Sequence, residues 1–401
     1  MALSLEELAD RAGVDEAFVD RLIELGALDR VEDGYGDREI HLVALLRRWE
    51  AAGLAVESVL EAIEKGDLSL SWLETPGFEL PGHLDRTYRE LAAETGVPLQ
   101  LVLGLHEVMG FARPDADARI RDDDPTLVEL ARIFLEGGAS ESAVRRVFRV
   151  YADNLRRLAT AVSDVYRTEV EKQLRESGVG DSELMGYGAR LGHRMGTLMN
   201  DALVAIFDRH HQHVWTEYSI ERAETVLKRA GLHQRVERPP AVCFVDLTGY
   251  TRLTEEQGDE VAARLAASLA MLVEEISRRH GGRAVRWLGD GGMFFFPDPK
   301  AAVLAALEMV ERAPAEGLPP THIGIHVGPV IFQDGDVYGM TVNVAARIAG
   351  RAEADEVLIS EETVRYAQGP EVRFERVGPA SLKGVAEPLA LYRVRSRRVE
   401  P

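Results

Sequence analysis

The stretch RAVRWLGDGGMFFF, residues 283–296, decides the fold of the C-terminal part of the chain. Its two ends, RAVRWL and MFFF, are rich in residues that favour β-strands, and the segment GDGG separates them. Strand-forming runs joined by a short segment of glycine and aspartate are typical of a β-hairpin. The stretch therefore predicts two adjacent antiparallel strands with Asp290 in the turn between them.

Strand and helix patterns alternate on both sides of this hairpin. Before it, the apolar run AVCFVDL (241–247) predicts a buried strand, and residues 257–280 predict a helix with a long apolar face. After it, residues 299–312 predict a second helix, and THIGIHVGPVIF (321–332) alternates as a strand. The order β-α-β-β-α-β is that of ferredoxin-like domains, in which helices cover one face of an antiparallel sheet.

Three segments are expected along the chain, whose 401 residues suggest two or three domains. Their expected bounds are 1–70, 71–235 and 236–401. Pro239 and Pro240 mark the start of the third segment, because proline ends a helix and lets an extended segment follow. The first two segments show helical patterns, so the expected fold is multi-domain: an all-α N-terminal region followed by an α+β, ferredoxin-like domain.

The first segment has the pattern helix, turn, helix, with Gly13 in the turn, and it resembles the winged helix-turn-helix of MerR-type regulators. Its candidate recognition helix, near residues 15–26, contains Arg21 as its one basic residue. Residues 1–70 carry 17 Asp and Glu against 7 Arg and Lys, and the whole chain has a net charge of −20. A DNA-reading helix normally supplies basic or amide side chains. DNA binding is therefore not expected, and a small helical packing module is the alternative.

Two long amphipathic helices are expected in the middle segment, at about 141–175 and about 183–230. The second carries methionines that either line an adaptable apolar ligand pocket or belong to the core: Met185, Met195 and Met199. It also carries histidines, in the run DRHHQHVW, that either sense protons or form a solvated helix end: His210, His211 and His213. A small apolar ligand or a change of pH is thus a candidate signal for this segment.

The composition sets limits on location and redox chemistry. No run of about 18 apolar residues occurs, so no transmembrane helix is expected. Acidic residues close to the N-terminus argue against a secretory signal peptide. Cys243 is the only cysteine, which excludes an internal disulfide and fits a reducing environment. We therefore expect a cytoplasmic protein.

Two carboxylates are expected to meet at one end of the predicted sheet. Asp246 closes the first strand and Asp290 lies in the hairpin turn, and these strands are neighbours in a β-α-β-β-α-β fold. Two oxygen ligands with open coordination positions suit Mg²⁺ or Mn²⁺, although each aspartate alone could be a turn or cap residue. Thr248 and Gly249, in the turn LTGYT, offer backbone N–H groups at a helix start, which attract phosphate.

The segment DGDVYGMTVNVAARI, residues 334–348, places an amide and a guanidinium on one helix face. Asn343 and Arg347 are separated by four residues, which is about one helical turn. Asp336 precedes the helix, and Gly339 lies where the helix would begin. A planar guanidinium suits phosphoryl oxygens. The segment is therefore a candidate for contact with a nucleotide.

Three motifs resemble the nucleotide and metal motifs of class III adenylate cyclases, in the same order and spacing: FVDLTGYT (244–251), LGDGGMFFF (288–296) and DVYGMTVNVAAR (336–347). The resemblance covers the third segment. More loosely, the whole chain resembles actinobacterial cyclases with an N-terminal helical regulatory region. The resemblance implies an adenylate cyclase that converts ATP to 3′,5′-cyclic AMP and pyrophosphate under control of residues 1–235.

The resemblance also implies a role for individual residues. Asp246 and Asp290 would hold two Mg²⁺ or Mn²⁺ ions in each site. Asp336 would accept a hydrogen bond from the adenine amino group, Asn343 would orient the ribose, and Arg347 would stabilise charge on the reacting phosphate. In the family, the metal ligands come from one chain and the base and transition-state residues from the other. A homodimer with two composite sites is therefore implied.

One position departs from the family pattern. Arg286 stands where the family usually has a base-reading lysine, and both side chains only donate hydrogen bonds. Arg286 with Asp336 could serve adenine or guanine, but guanylate cyclases of the family typically lack the aspartate, which favours ATP. Lys383, in SLKGV, either contacts the triphosphate or is a surface lysine. Guanylate cyclase activity and a nucleotide-binding module with weak turnover stay open as alternatives.

Overall fold

The computed structural model describes residues 3–30, 34–74, 82–232, 238–385 and 387–397. The chain forms two compact units, Met1–Glu224 and Thr225–Pro401, and each is described by itself. The expected boundary between residues 235 and 236 lies outside the described residues.

Helices dominate the first unit, as the sequence predicts. Its α-helices are α1 (Leu5–Ala12), α2 (Glu16–Glu24), α3 (Asp37–Ala51), α4 (Val56–Glu64), α5 (Tyr88–Thr95), α6 (Leu99–Met109), α7 (Asp124–Glu136), α8 (Glu141–Val165), α9 (Lys172–Glu176) and α10 (Asp181–Arg229), the last of which extends past the unit boundary. Ser71–Glu74 is a 3₁₀ helix, and Tyr166–Glu171 is a π-helical segment between α8 and α9. Two short strands, β1 (His83–Thr87) and β2 (Arg119–Arg121), pair antiparallel and are not predicted by the helical patterns.

Capping residues explain where the first two helices begin and end. Ser4 and Glu7 form a reciprocal capping box at the start of α1, with N–H to oxygen distances of 2.8 and 3.2 Å. Asp15 caps α2 by accepting a hydrogen bond from the backbone N–H of Phe18 at 2.8 Å. Gly13, between the helices, has a φ of 70°, a conformation that glycine adopts without steric cost. The helix-turn-helix order expected near the N-terminus is therefore present.

Two separate apolar cores lie in the first unit. One joins the N-terminal helices α1–α4 and includes Leu8, Leu22 and Leu46, which are fully buried. The other joins α5–α8 and includes Leu101 and Phe148. Each core gives its group of helices a source of stability, because burial of apolar side chains is the main favourable contribution to folding.

The two long helices occur close to their expected positions. Along α8, Val144 and Phe148 are buried in the second core, whereas Leu155 and Val165 are exposed, so the apolar stripe is covered only at its start. The π-helical segment that continues α8 is not predicted by a pattern with a period of 3.6 residues. Among the residues that the structure describes, none of the helices has both the length and the apolar character that crossing a bilayer requires.

The methionines and histidines of α10 are mostly exposed. Met185 and Met195 are exposed and Met199 is half-buried. The histidines His210, His211 and His213 lie well inside α10, so the interpretation as a helix end is wrong. The ring of His211 stacks on Phe207, with 5.7 Å between centroids.

The second unit contains one large sheet with helices on it. Its elements are β3 (Ala241–Leu247), α11 (Tyr250–Gln257), α12 (Asp259–Arg279), β4 (Arg283–Leu288), β5 (Gly291–Phe296), α13 (Pro299–Arg312), a 3₁₀ helix (Ala313–Glu316), β6 (Thr321–Val327), β7 (Ile331–Gln333), β8 (Asp336–Tyr338), α14 (Met340–Ala349), β9 (Val357–Ser360), α15 (Glu361–Tyr366), β10 (Val372–Ala380) and β11 (Leu389–Ser396). The strand order is β10-β11-β9-β6-β3-β5-β4, and β7 pairs with β8 separately. Neighbouring strands are antiparallel except β6 and β9, which are parallel.

The predicted hairpin is confirmed. Strands β4 and β5 pair antiparallel, Leu288 is opposite Gly291, and Gly289 and Asp290 form a two-residue turn. Gly289 has a φ of 65°, which matches the requirement of tight hairpin turns for a positive φ. The hairpin therefore places Asp290 at the end of the sheet.

Helices cover both faces of the sheet, so the expectation of helices on one face is wrong. Side chains alternate along β3: Cys243 and Val245 pack with residues of α12 and α13, whereas Val242 packs on the other face with Ala345 of α14. Strand β5 is buried at every position. A strand that is apolar on both sides needs cover on both sides, and α14 supplies it on the second face.

Candidate active site

Asp246 and Asp290 lie side by side at one end of the sheet. Asp246 is opposite Gly291 of β5, and Asp290 precedes Gly291 in the hairpin turn. Burial, and then the neighbouring Asp290 carboxylate, raise the pKa of Asp246 to about 6. A Cβ at position 291 would lie 3.0 Å from Asp246 Oδ1 and 2.8 Å from the Val245 carbonyl oxygen. Glycine at this position therefore leaves space beside the carboxylate.

The donor set at this end of the sheet fits a divalent cation. Two adjacent carboxylates provide hard oxygen donors, and their mutual repulsion is relieved by a cation. Across the described ranges, no cluster of three or more His, Cys, Asp or Glu side chains is arranged to hold an ion. Further ligands would therefore come from water, backbone carbonyls or substrate phosphates.

The turn after β3 presents backbone N–H groups next to these carboxylates. Gly249 has a φ of 78° and precedes α11, whose first N–H groups have no partner within the helix. Such groups attract phosphate. The N–H of Thr248 is not one of them, because it donates to the carbonyl oxygen of Pro320 at 2.8 Å. The hydroxyl of Thr248 lies 3.1 Å from Nδ1 of His322.

Arg286 and Asp336 form an ion pair between β4 and β8. The second oxygen of Asp336 accepts a hydrogen bond from the backbone N–H of Val337 at 2.7 Å. The guanidinium of Arg286 lies over the ring of Tyr338, 5.8 Å from its centroid. The two residues expected to read the base are therefore adjacent and hold each other in place.

A β-bulge sets the direction of the Arg286 side chain. The register of β4 against β5 shifts by one residue between Ala284 and Arg286. Val285 packs in the cluster on the α14 face, and Trp287 packs in the main core on the other face. Arg286 is opposite Met293, which belongs to the α14-face cluster, so Val285 and Arg286 point to the same side. Bulges redirect a side chain in this way next to functional sites.

Asn343 and Arg347 lie on one face of α14, as predicted from their spacing, and the structure shows that this face is exposed. Val344 and Ile348 on the opposite face are buried. The start of α14 is tied to the loop after β6 by Thr341, whose hydroxyl donates to the carbonyl oxygen of Pro329 at 2.6 Å. The α14 surface that carries the amide and the guanidinium is therefore open to solvent.

The candidate residues lie on several elements of the second unit. Asp246 lies at the end of β3 opposite His322 near the start of β6. Helix α14 begins next to the loop after β6 and runs back over the sheet, where the backbone of Ala349 packs against Gly324. Lys383 is exposed in a turn before β11. In the described part of the chain, the structure records no hydrogen bond or ion pair between Lys383, Asn343 or Arg347 and the carboxylate pair.

His322 also lies in this region, although no pattern in the sequence predicts that it belongs to the site. It is directly opposite Asp246 in the pairing of β3 and β6, and 14% of its side chain is exposed. Its Nε2 lies 3.9 Å from Asp246 Oδ2. Only the cross-strand register places His322 beside Asp246, and that register cannot be read from the alternation of THIGIHV.

Two parts of the chain match known protein families. Residues 233–396 match the family described as adenylate and guanylate cyclase catalytic domain. Residues 79–213 match the family described as adenylate cyclase regulatory domain. The candidate residues all lie in the first of these matches.

Individual proteins show the same similarity. The chain is 28% identical over 323 residues to a pH-sensitive adenylate cyclase of Mycobacterium tuberculosis, which covers 78% of this chain and 79% of that protein. It is 29% identical over 287 residues to an adenylate cyclase of Streptomyces coelicolor, which covers 70% of this chain and 72% of that protein. Among solved structures, an adenylyl cyclase of P. aeruginosa is 26% identical with a TM-score of 0.37, covering 40% of this chain and 96% of that chain.

Proposed function

The chain belongs to the class III adenylate cyclases, and we propose that it converts ATP to 3′,5′-cyclic AMP and pyrophosphate at two sites shared between the chains of a homodimer. In this reaction the ribose 3′-hydroxyl attacks the α-phosphorus and pyrophosphate leaves. Little covalent chemistry falls to the protein, so catalysis consists of positioning and electrostatic stabilisation.

One observation supports the shared-site proposal: in the described part of the chain, Asn343 and Arg347 have no recorded hydrogen bond or ion pair with Asp246 or Asp290. Asp246 and Asp290 are together at the end of β3. Asn343 and Arg347 lie on the exposed face of α14, where a second chain can approach them. In a dimer with two-fold symmetry, each chain would supply the group that the other chain lacks at each site.

In this proposal the Arg286–Asp336 pair and the exposed face of α14 bind the substrate base, sugar and reacting phosphate. The carboxylate of Asp336 accepts from the adenine amino group, and the guanidinium of Arg286 donates to adenine N1. Asn343 orients the ribose. Arg347 stabilises charge on the reacting phosphate, since its fork of N–H groups matches phosphoryl oxygens.

The residues around the carboxylate pair bind the phosphates and the metal. The free N–H groups at Gly249 and the start of α11 hold phosphate oxygens, and Lys383 reaches the triphosphate. Class III cyclases are metal-dependent in general, and Asp246 and Asp290 would hold two Mg²⁺ or Mn²⁺ ions. Such ions, when bound, favour ionisation of the attacking hydroxyl and neutralise charge on the leaving pyrophosphate. The N–H of Leu247, which donates to Asp246 Oδ1 at 3.1 Å, helps to fix that carboxylate.

Residues 71–235 form the regulatory and dimerisation region in this proposal. The match of residues 79–213 to a regulatory domain supports a role in control. The signal is a proton or a small apolar ligand, through the exposed histidines or methionines of α10. We expect no DNA binding by residues 1–70, because the guanidinium of Arg21, the basic group of α2, is paired with Glu50 at 2.6 Å and with Glu57 at 2.8 Å.

Turnover of ATP and GTP by the full chain, first with Mg²⁺ and then with Mn²⁺, tests the proposal. The expected result is cyclic AMP formation that needs a divalent cation and exceeds cyclic GTP formation. A higher turnover of GTP would establish the guanylate cyclase alternative. Binding of ATP without turnover under either metal would establish the alternative of a nucleotide-binding module.

A further inference from the structure

The imidazole of His322 lies between the carboxylate of Asp246 and the turn that begins at Thr248. We propose that His322 is a positioning residue that holds this carboxylate and this turn in one arrangement, so that the metal site and the phosphate-binding turn are preorganised together. The inference rests on the proposed function of the site and adds a residue to it.

Both nitrogens of the His322 ring face groups of the site. Nδ1 lies 3.1 Å from the Thr248 hydroxyl, and Nε2 lies 3.9 Å from Asp246 Oδ2. The sheet fixes the backbone of His322 next to that of Asp246, because the two residues are paired across β3 and β6. The Thr248 N–H also donates to Pro320, two residues before His322, at 2.8 Å. The start of β6 therefore contacts the turn through backbone and side chain.

The chemistry of the three groups selects one tautomer. The 3.9 Å between Nε2 and Asp246 Oδ2 is longer than a hydrogen bond, so the ring acts on the carboxylate electrostatically, and a ring proton on Nε2 is the tautomer that this carboxylate favours. Nδ1 then accepts from the Thr248 hydroxyl. Asp246 has a neighbour on each oxygen, the Leu247 N–H at Oδ1 and His322 at Oδ2. Partners of this kind orient metal ligands, and their loss typically weakens metal binding by 10- to 100-fold.

The same strand contains a matched control. His326 is also on β6, four residues further along on the same face, and it is mostly buried. Its Nδ1 lies 2.8 Å from the hydroxyl of Ser360, which caps α15 and is not part of the site. Replacing His326 therefore removes a buried imidazole and its hydrogen bond from β6 without touching Asp246 or Thr248.

The experiment measures thermal unfolding of the full chain against the concentration of Mn²⁺ alone, without nucleotide. Bound metal raises the unfolding temperature, and the metal concentration needed for a given shift is proportional to the Kd of the site. His322→Phe keeps an aromatic ring and removes both nitrogens, and we expect it to need about tenfold more Mn²⁺ for the same shift. His326→Phe should follow the Mn²⁺ dependence of the unchanged chain, even if its starting unfolding temperature is lower.

Two further variants separate the two contacts of the ring. The amide of His322→Gln reaches the position of Nε2, and that of His322→Asn reaches the position of Nδ1. We expect the Gln variant to bind Mn²⁺ more tightly than the Asn variant, and these two carry the test if the Phe variant does not fold. In cyclase assays of the His322 variants, the fold increase in the Mn²⁺ concentration for half-maximal rate should exceed the fold decrease in the maximal rate.

Asp246→Ala shows whether the rise in unfolding temperature with Mn²⁺ comes from metal bound at this site. If it abolishes the Mn²⁺ shift while the His322 variants retain the dependence of the unchanged chain, His322 has no positioning role and the proposed function stands. If Asp246→Ala retains the full shift, the metal does not bind at the proposed site, and the proposed function itself is wrong there.

Discussion

The guanidinium of Arg286 and the carboxylate of Asp336 form an ion pair that joins strand β4 to strand β8. Arg286 can only donate and Asp336 can only accept, so the pair presents one donor and one acceptor in a fixed order. Adenine offers a donor at its 6-amino group and an acceptor at N1, whereas guanine offers these in the reverse order. The ion pair is therefore suited to distinguish the two bases even though arginine replaces the usual lysine.

The first prediction concerns this selectivity. Asp336→Asn replaces an acceptor by an amide that can turn to donate or accept, and it also weakens the hold on Arg286. We expect the ratio of kcat/KM for ATP over GTP to fall by at least about tenfold, or about 1.4 kcal/mol of discrimination. Asp334→Asn, in the β7–β8 turn, is the control and should leave the ratio unchanged. An unaltered ratio in Asp336→Asn would mean that this carboxylate does not read the base.

The second prediction concerns the carboxylate pair. Asp290→Asn keeps the shape of the hairpin turn but removes the charge that lies next to Asp246. In the presence of a chelator we expect a higher unfolding temperature than that of the unchanged chain, because the repulsion between the carboxylates is gone. With Mn²⁺ the order should reverse, because a metal ligand has been lost.

Cyclic AMP formation gives a second test of the role of Asp290. Asp290→Ala should abolish cyclic AMP formation with the fold intact, because a turn carboxylate contributes little to the core. A rate above about a tenth of that of the unchanged chain, which corresponds to a barrier increase below about 1.4 kcal/mol, would show that Asp290 is not a primary ligand.

Complementation between chains is the third prediction. Asp246→Ala and Arg347→Ala should each be inactive, because each destroys both sites of its own homodimer. In a mixed dimer one site has lost both residues and the other is complete. With free exchange of subunits from equal amounts, about a quarter of the activity should return, since half of the dimers are mixed and each has one site. Confirmed exchange without recovery would contradict the shared-site proposal.

Much of the catalytic fold follows from the sequence because its signals are local. The two-residue turn at Gly289 and Asp290 and the apolar period of α12 each depend on adjacent residues. The face of the sheet that α14 covers depends instead on distant partners, such as Val242 packing with Ala345. A strand buried on both faces shows no alternation that could indicate where a second layer lies.

The features of the candidate site also fall into two classes: those that local sequence predicts and those that depend on the register between strands. Asp246 and Asp290 could be predicted to meet because they belong to neighbouring strands. The bulge before Arg286 and the place of His322 depend on the register between strands, and a shift of one residue would turn each side chain to the other face. The shared face of Asn343 and Arg347 follows from helical spacing, but the exposure of that face depends on how α14 packs on the sheet.

The fourth prediction concerns a buried network in the regulatory region. Asp124 is buried and accepts hydrogen bonds from the Tyr88 hydroxyl at 2.6 Å and from the Arg121 N–H at 2.8 Å. Nε2 of His106 lies 3.4 Å from the other oxygen of Asp124. Burial lowers the pKa of His106 below its ordinary value of 6.5, so the folded chain prefers the neutral ring.

The lowered pKa of His106 determines whether the folded chain gains or loses stability as the pH falls. The stability that the neutral ring contributes is fully present above about pH 6.5 and is lost as the pH falls, because the unfolded chain binds the proton first. His106→Gln should therefore lower the unfolding temperature at neutral pH, by an amount that shrinks towards pH 5.5. If the loss grows at low pH instead, the Asp124 carboxylate outweighs burial and His106 is charged in the folded state.

The last prediction concerns control of catalysis by the N-terminal region. A composite site requires the two catalytic domains to meet at a fixed distance and rotation, and packed helices can impose or release this arrangement by a small shift. An effector acts only if it binds the two arrangements unequally. The second unit has its own buried core and keeps the ion pair of Arg238 with Asp298, at 3.0 Å. A truncated chain that begins at Arg238 should therefore fold.

We expect this truncated chain to make cyclic AMP with a turnover or a dimer affinity that differs from that of the full chain by about fivefold or more, the usual scale of coupling between sites. The direction of the change is not determined by the residues on α10. The measurement is specific activity against protein concentration for both chains, from about pH 5.5 to 8, where histidine titrates. In the full chain, replacing His210, His211 and His213 by glutamine should flatten the pH dependence if protons are the signal. Coincident curves for the two chains would show that residues 1–235 do not regulate catalysis and would leave them a role in partner binding.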